Sequence, residues 1–401
     1  MLDNMFRKIV VLVIIILLIG LIIWPNINCI SNEKETLLFN KKIFSSKEHI
    51  FDKLISFLMK LGHIPSLSAC IIKNDKVVWA KGYGLYDIRL SKNADYDTVY
   101  AAASISKTVT ATALMQLYDD GLFNLDDDIN DYINFSIRNP NFPDTPITFR
   151  MLLAHHSSLS SDNDVWHLHK DFPGDCPIGF YPFLKEYLNL GGSEYFPEVW
   201  SNSLPGEEFH YSGIGYAIIG LIIEQITGEK FDEYCTKNIF SPLEMNNSSF
   251  RFADIDIDKI AVPYIYCFWG YEPYMHAGDV DYPSGCLRSS IEDLSHFLIA
   301  HMNNGWYQDI QILNNSTIKL MHSPQFSDGR YGLGLQIWKK LDGSILIGHT
   351  GSNIGVSTLM KYDVFKDVSI VYFINRKSTL YSESMIEKLI EKVLFIKGNN
   401  Y

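Results

Sequence analysis

The chain has 401 residues, 47% hydrophobic and 20% charged, which is ordinary globular composition with ample material for a large core. Its net charge is −12 and it carries no long basic run. A nucleic-acid partner is therefore excluded, since phosphate binding needs clustered Lys and Arg.

The N-terminus departs from this composition. Arg7 and Lys8 precede an apolar stretch, residues 9–24, that Pro25 ends. As a helix it would span roughly 24 Å at about 1.5 Å per residue. That is short for a hydrocarbon core of about 30 Å and long for the core of a signal peptide. No A-x-A-like cleavage site follows, and Asn26, Ile27 and Asn28 lack the small side chains of a lipoprotein site at Cys29. An uncleaved signal anchor over residues 1–24 is the expectation, with a cleaved signal as the alternative. Either exports the rest, and the basic residues ahead of the span place the bulk outside. Residues 25–47 read as a polar linker and residues 48–397 as the folded domain.

Residues 51–61 have the pattern of a short amphipathic helix. Residues 66–72 and 76–86 read as strands joined by a tight Asn74-Asp75 hairpin. From Ser104 to about Asp120 the pattern is helical, with an apolar face of mixed quality and Gly121 as its stop. The acid-rich stretch 124–131 lacks the alternating spacing of a calcium loop and reads as a helix start. Residues 134–210, rich in Pro, Gly and aromatics, suggest a loop-rich cap. Residues 213–227 are a clear helix with Gly228 after it, and another runs from 291 to 303 behind Ser290. Strands return at 344–348, 356–361 and 368–374, the first two flanking a Gly-rich turn. A last helix follows Ser382, with Met385, Ile386, Leu389, Ile390, Val393 and Leu394 on one face. The fold class expected is α/β (α+β), an antiparallel sheet built from both chain ends (about 64–103 and 330–397) and flanked by helices, with a helical region inserted at about 108–300.

Six cysteines are scattered without a CxxC pair, so no structural zinc site is expected. The cysteines read as small buried thiols; a Cys235–Cys267 disulfide, conceivable in an exported chain, is the alternative. His167 and His169 near Asp162, Asp164 and Asp171 suggest solvated loop residues rather than a metal site. Asn134, Asn246, Asn247, Asn314 and Asn315 fit the N-x-S/T acceptor pattern. There is no G-x-S-x-G elbow of a conventional α/β-hydrolase.

Three short segments could carry chemistry. Ser104 and Lys107 are one helical turn apart, so the amine can take the hydroxyl proton while the helix N-terminus offers N–H groups to an oxyanion. The alternative is an N-cap serine with a solvated lysine. Tyr211-Ser212 precedes the 213–227 helix, where a tyrosine can share a proton with a lysine or simply pack at the core edge. His349-Thr350-Gly351-Ser352 follows a strand; a glycine there allows close backbone approach to a ligand, and a β-turn with a surface His is the alternative.

In this order the segments resemble the serine β-lactamase and D-alanyl-D-alanine peptidase superfamily, in its class C β-lactamase-like branch, which also holds esterases and D-amino-acid amidases. The similarity runs over roughly residues 50–395, through 147–159 (ITFRMLLAHHSSL), 205–250, 283–298 and 331–337. The resemblance implies that Ser104 would be acylated and that Lys107 would act as base. Tyr211 would protonate the leaving group. The N–H groups of Ser104 and Ser352 would bind the oxyanion, with Thr350 and Gly351 lining the site. His349 would help Tyr211 and orient substrate. No cofactor or metal is implied.

Two departures bear on substrate. Gly213 stands where the family commonly has an Asn that bonds a substrate amide, and His349 stands where class C β-lactamases use Lys to hold a carboxylate. Both lean towards an esterase or a peptidase/amidase, with a β-lactamase as the alternative. A non-catalytic, membrane-anchored binding or sensor protein on the same fold is the alternative from another class. The expected partners are a small-molecule, peptide or ester substrate and the membrane.

Overall fold

The computed structural model describes residues 48–160, 172–377 and 381–401. The predicted anchor (1–24), the linker (25–47) and the 162–171 His/Asp cluster lie outside the described residues. Residues 55–401 form one unit.

Helix α1 covers 48–61, and its Ile55, Leu58 and Met59 are buried. Strands β1 (Ser66–Lys73) and β2 (Lys76–Asp87) follow, then the short β3 (Lys92–Asn93). Asn74 (φ 49°) and Asp75 (φ 57°) both take the left-handed backbone that a two-residue hairpin turn demands. A second, separate hairpin is formed by β4 (Tyr264–Cys267) and β5 (Gly270–Pro273). The C-terminal strands are β6 (Gln336–Lys339), β7 (Ile345–Asn353), β8 (Val356–Asp363) and β9 (Val368–Ile374). The main sheet has seven antiparallel strands in the order β6-β7-β8-β9-β1-β2-β3. Thus β1 pairs with β9, Leu67 opposite Ile374, and the two ends of the chain meet at the centre of one sheet as expected.

That sheet is covered on both faces. On β1, Cys70 touches the carbonyl of Ile291, at the start of helix α5 (Ile291–Met302). Its neighbour Ile71 packs on Gly398, at the end of helix α6 (Tyr381–Gly398). Successive strand residues point to opposite faces, so with both faces covered β1 and β9 are buried along nearly their whole length, serines included. Of the predicted face of α6, Ile386, Ile390, Val393 and Leu394 are buried, whereas Met385 is exposed.

Helix α2 (Ser106–Asp119) runs through the middle of the molecule, with eleven of its residues buried. This explains its mixed apolar pattern. Thr108 and Thr112 return their hydroxyls to backbone carbonyls of their own chain segment, and Thr110 bonds Pro283 O at 2.6 Å. Small bonded hydroxyls let a helix be buried on all sides without unpaired polar groups. Helix α3 (Gly213–Thr227) spans the predicted residues, capped by Ser212 at its start and by left-handed Gly228 at its end.

Cys235 and Cys267 are both free, and Cys70, Cys235 and Cys286 are buried thiols, as expected. Two expectations are corrected. The residues after Gly348 are not a turn: β7 continues to Asn353, pairing in register with β8, and the reversal comes at Ile354-Gly355. The acid stretch gives a turn and a single 3-10 turn at Ile129–Asp131 rather than a long helix.

Helix α3 crosses the short helix α4 (Tyr282–Gly285) with almost no clearance: a Cβ on Gly220 would lie 2.6 Å from Pro283 Cγ. Gly220→Ala should therefore cost about 1–3 kcal/mol through overpacking, read as a lower thermal unfolding midpoint. An unchanged or raised midpoint would show that α4 yields freely.

Candidate active site

Ser104 lies in a 3-10 turn, Ala103–Ile105, immediately ahead of α2. Ala103 before it has φ 49°, a left-handed backbone that a residue with a Cβ adopts at a cost. Four hydrogen bonds hold it there. Ala102 N donates to Leu287 O (2.8 Å), and Thr358 Oγ1 donates to Ala102 O (2.9 Å). Ser106 Oγ donates to Ala103 O (2.6 Å) and accepts from Leu287 N (3.0 Å). The serine is thus presented by a strained turn clamped between β8 and the segment after α4.

Lys107 is buried, and its Nζ lies 3.4 Å from Ser104 Oγ. The amine also donates to Ser284 O on α4 at 2.8 Å. It sits over two aromatic rings, Tyr211 at 5.0 Å and Tyr216 at 5.7 Å from their centroids. The solvated-lysine alternative does not describe this arrangement.

Tyr211 is carried by a loop zipped to residues 155–156. His210 N donates to His155 O (2.7 Å), Gly206 N to His156 O (2.7 Å), and Ser212 N to His155 Nδ1 (3.0 Å). The His155 ring lies 4.4 Å from the Tyr211 ring. Tyr211 remains 37% exposed, so one face is open to an incoming molecule. Gly213 is buried at the first position of α3 and offers no side-chain amide there.

Strand β7 forms the other wall. β6 pairs with it only as far as Gly348, so beyond that point the outer edge of β7 is uncovered. Gly351 lies against the serine turn: a Cβ there would be 2.4 Å from Ala102 O and 2.2 Å from Thr358 Oγ1. Thr350 and Ser352 are exposed on this edge, and Thr350 Oγ1 donates to Gln336 Oε1 at 3.4 Å.

His349 is wholly buried and does not project into the cleft. Its Nδ1 donates to Thr350 O at 2.6 Å, so Nε2 of the neutral ring accepts from the Tyr331 hydroxyl at 2.5 Å. Burial, with the nearby Lys107 charge, pushes its pKa down to about 3. Its ring centroid is 6.3 Å from that of Tyr211. The expectation that His349 orients substrate directly is thus replaced by a buried support for the strand and for Tyr331.

The structure brings Ser104, Lys107, Tyr211, Gly213 and the 349–352 strand together. It adds residues that sequence reasoning did not single out. His155 is fully buried among the rings of Tyr211, Tyr216 and Tyr331, and its Nε2 has no hydrogen-bond partner among the described residues. Burial and the Lys107 charge push its pKa well down. Ser284 and Tyr331 likewise act through contacts that no local pattern announces. The sole signal for His155 was its place in the 147–159 stretch.

No cluster able to hold a metal ion occurs among the described residues. The acids of 124–131 are used locally: Asp126 pairs with Arg150, Asp128 with Arg138, and Asp127 accepts from Asn124 N and Tyr132 Oη.

Comparison with known proteins agrees with the fold and gives the family. The family model described as Beta-lactamase matches residues 51–394. Protein flp of Staphylococcus aureus (strain N315) is 27% identical over 362 residues, covering 88% of this chain and 68% of that protein. The octameric penicillin-binding protein homologue from Pyrococcus abyssi superposes with a TM-score of 0.69 at 27% identity, over 87% of this chain and 77% of that one. The D-amino acid amidase from Ochrobactrum anthropi SV3 shares the fold, with a TM-score of 0.68 at 18% identity over 88% and 99% of the two chains.

Several buried or half-buried histidines are held neutral: His155 and His301 well below their usual pKa, His276 and His322 at about 4, and His349 at about 3. In the unfolded chain they bind protons near pH 6.5, so between that pH and about 4 the unfolded state takes up more protons. Their stabilising contribution is complete above pH 6.5 and is lost as the pH falls. The urea midpoint should drop steadily from pH 7 to pH 5; a midpoint constant across that window would contradict neutral burial.

Proposed function

The chain belongs to the beta-lactamase family and is a serine hydrolase of that fold, and from this footing we propose that it cleaves an uncharged ester or amide through an acyl-enzyme on Ser104. The observation that carries the reading is the Lys107 amine, buried and held by Ser284 O, 3.4 Å from Ser104 Oγ.

In the proposed sequence Lys107 Nζ takes the hydroxyl proton while Ser104 Oγ bonds to the substrate carbonyl carbon. The backbone N–H groups of Ser104 and Ser352 receive the oxyanion. Support for that pairing comes from Gly351, whose missing Cβ lets the uncovered edge of β7 approach the serine turn. Tyr211, over which the Lys107 amine sits, passes a proton to the leaving oxygen or nitrogen as its bond to the acyl carbon breaks. Water then attacks the ester, and the same groups return the proton to Ser104.

The substrate class follows from what the walls lack. His349 is neutral and uses both ring nitrogens within the protein, so no cation stands on β7 to hold a carboxylate. Gly213 provides no amide to read a peptide group. Both favour an ester or a simple amide over a penicillin. The apolar stretch 9–24, with basic residues before it, supports a membrane tether with the catalytic domain outside the cytoplasm. Among the described residues no helix is long and apolar enough to cross a membrane.

A panel of nitrophenyl esters, a D-amino-acid anilide and a fluorescent penicillin tests the reading. Wild type should turn over the esters fastest, and Ser104→Ala should lose at least about 10³-fold in kcat. Full turnover by Ser104→Ala would remove the serine mechanism. Gly213→Asn should increase penicillin acylation, and no change there would refute the argument from the missing amide.

A further inference from the structure

In the β4–β5 hairpin Cys267 pairs with Gly270, so Phe268 and Trp269 are its two turn residues. Two-residue turns are ordinarily filled by Asn, Asp or Gly, which take the required backbone and leave polar atoms in water. Here the turn displays two large rings. Phe268 is fully exposed and Trp269 is 76% exposed. Trp269 Nε1 donates to Glu272 Oε1 at 2.8 Å, which engages the polar edge of the indole within the hairpin and leaves its apolar body outside.

The base of this hairpin is firmly held. Tyr264 N donates to Asn375 O at 3.0 Å, and His63 stacks on Tyr266 with centroids 4.0 Å apart. The residues that flank its stem line a groove against the turn that carries Ser104. Pro263, just before β4, and Tyr274 and Met275, just after β5, line a groove that includes Ala103, Asn353 and Ile354. Ala103 adjoins Ser104, and Asn353 ends the β7 edge.

From this juxtaposition we infer that the Phe268–Trp269 tip enters the interfacial layer of a lipid bilayer, and that the substrate reaches Ser104 from that bilayer as an ester or amide with a long apolar chain. Trp is favoured at this depth because its ring is amphipathic. The bilayer is the occupant that the rest of the chain points to. Residues 9–24 would supply the tether, and residues 25–47 have a covalent reach of at most about 80 Å. A tether of that reach holds the domain near the surface without choosing which side faces it; the tip makes that choice. The hairpin 264–273 carries no Lys or Arg and the chain is at −12, so the contact is apolar insertion into uncharged, zwitterionic lipid rather than attraction to anionic headgroups. The substrate half of the inference rests on the proposed hydrolase reading; the membrane half does not.

The test uses the full chain in phosphatidylcholine vesicles, as wild type and as the double variant Phe268→Ser, Trp269→Ser. Lipids brominated on the acyl chain should quench a component of tryptophan fluorescence in wild type that is missing from the variant. Turnover of nitrophenyl acetate in water should be the same for both proteins. Turnover of a nitrophenyl dodecanoate held in the vesicles should fall about tenfold in the variant. Equal quenching in the two proteins would overturn the inference. So would equal loss on both esters, or a change of oligomeric state in the variant, which would make the tip a contact between copies. If wild type and Ser104→Ala hydrolyse neither ester, the hydrolase reading fails while the quenching still decides the membrane contact.

Discussion

The active site depends on one backbone-to-backbone approach. Gly351 of β7 lies so close to the turn carrying Ser104 that a Cβ would stand 2.4 Å from the Ala102 carbonyl. The same carbonyl accepts a hydrogen bond from Thr358 on β8, so the turn is joined to two adjacent strands of the sheet. The left-handed Ala103 is sustained by that clamp and by the bonds of Ser106 and Leu287. Strain at a single residue persists when its surroundings over-determine it. The order of the sheet then matters: strands from the C-terminal third must form before the serine near residue 100 has its second wall.

Around this approach the protein builds a dry pocket for one lysine. Lys107 is met by a carbonyl from α4 and by the faces of Tyr211 and Tyr216. Carbonyl oxygens and ring faces both attract a cation, and neither needs a formal charge of its own. The histidines nearby respond in the expected sense: burial and the lysine charge keep His155 and His349 neutral. Each neutral ring is then committed to a single tautomer by one contact, Ser212 N–H for His155 and Thr350 O for His349. They fix Tyr211 and Tyr331 in place and add no positive charge to the cleft.

The rim of the cleft obeys a different constraint. Core and pocket residues are chosen for packing, but the β4–β5 turn places Phe268 and Trp269 in water where a turn needs neither. Monomeric proteins expose single apolar residues routinely, so the weight falls on the pairing of two rings at one tip of a hairpin whose flanking residues line the groove.

Much of the frame was legible from local pattern. The 213–227 helix, the Asn74-Asp75 hairpin and the strand at 368–374 are set by periodicity and turn chemistry, which are properties of neighbouring residues. The pair Ser104 and Lys107 was legible for the same reason, because a helical turn brings i and i+3 together without help from the rest of the chain. The extent of β7 was not. Gly348, Gly351 and Gly355 look like a turn in sequence, and only the pairing with β8 and the nearness of Ala102 show that Gly351 is a strand residue making room. The role of His349 also escaped, since a histidine after a strand carries no mark of whether it faces solvent or core. His155, Ser284 and Tyr331 act on residues far away in the chain, so their parts were settled by the tertiary structure alone. The sequence by itself determined the pairing of Ser104 with Lys107 and the family, because these rest on short-range spacing. The tertiary structure decided that the histidines of the site are buried and neutral and that one wall is an uncovered strand edge, because burial and strand pairing are long-range properties.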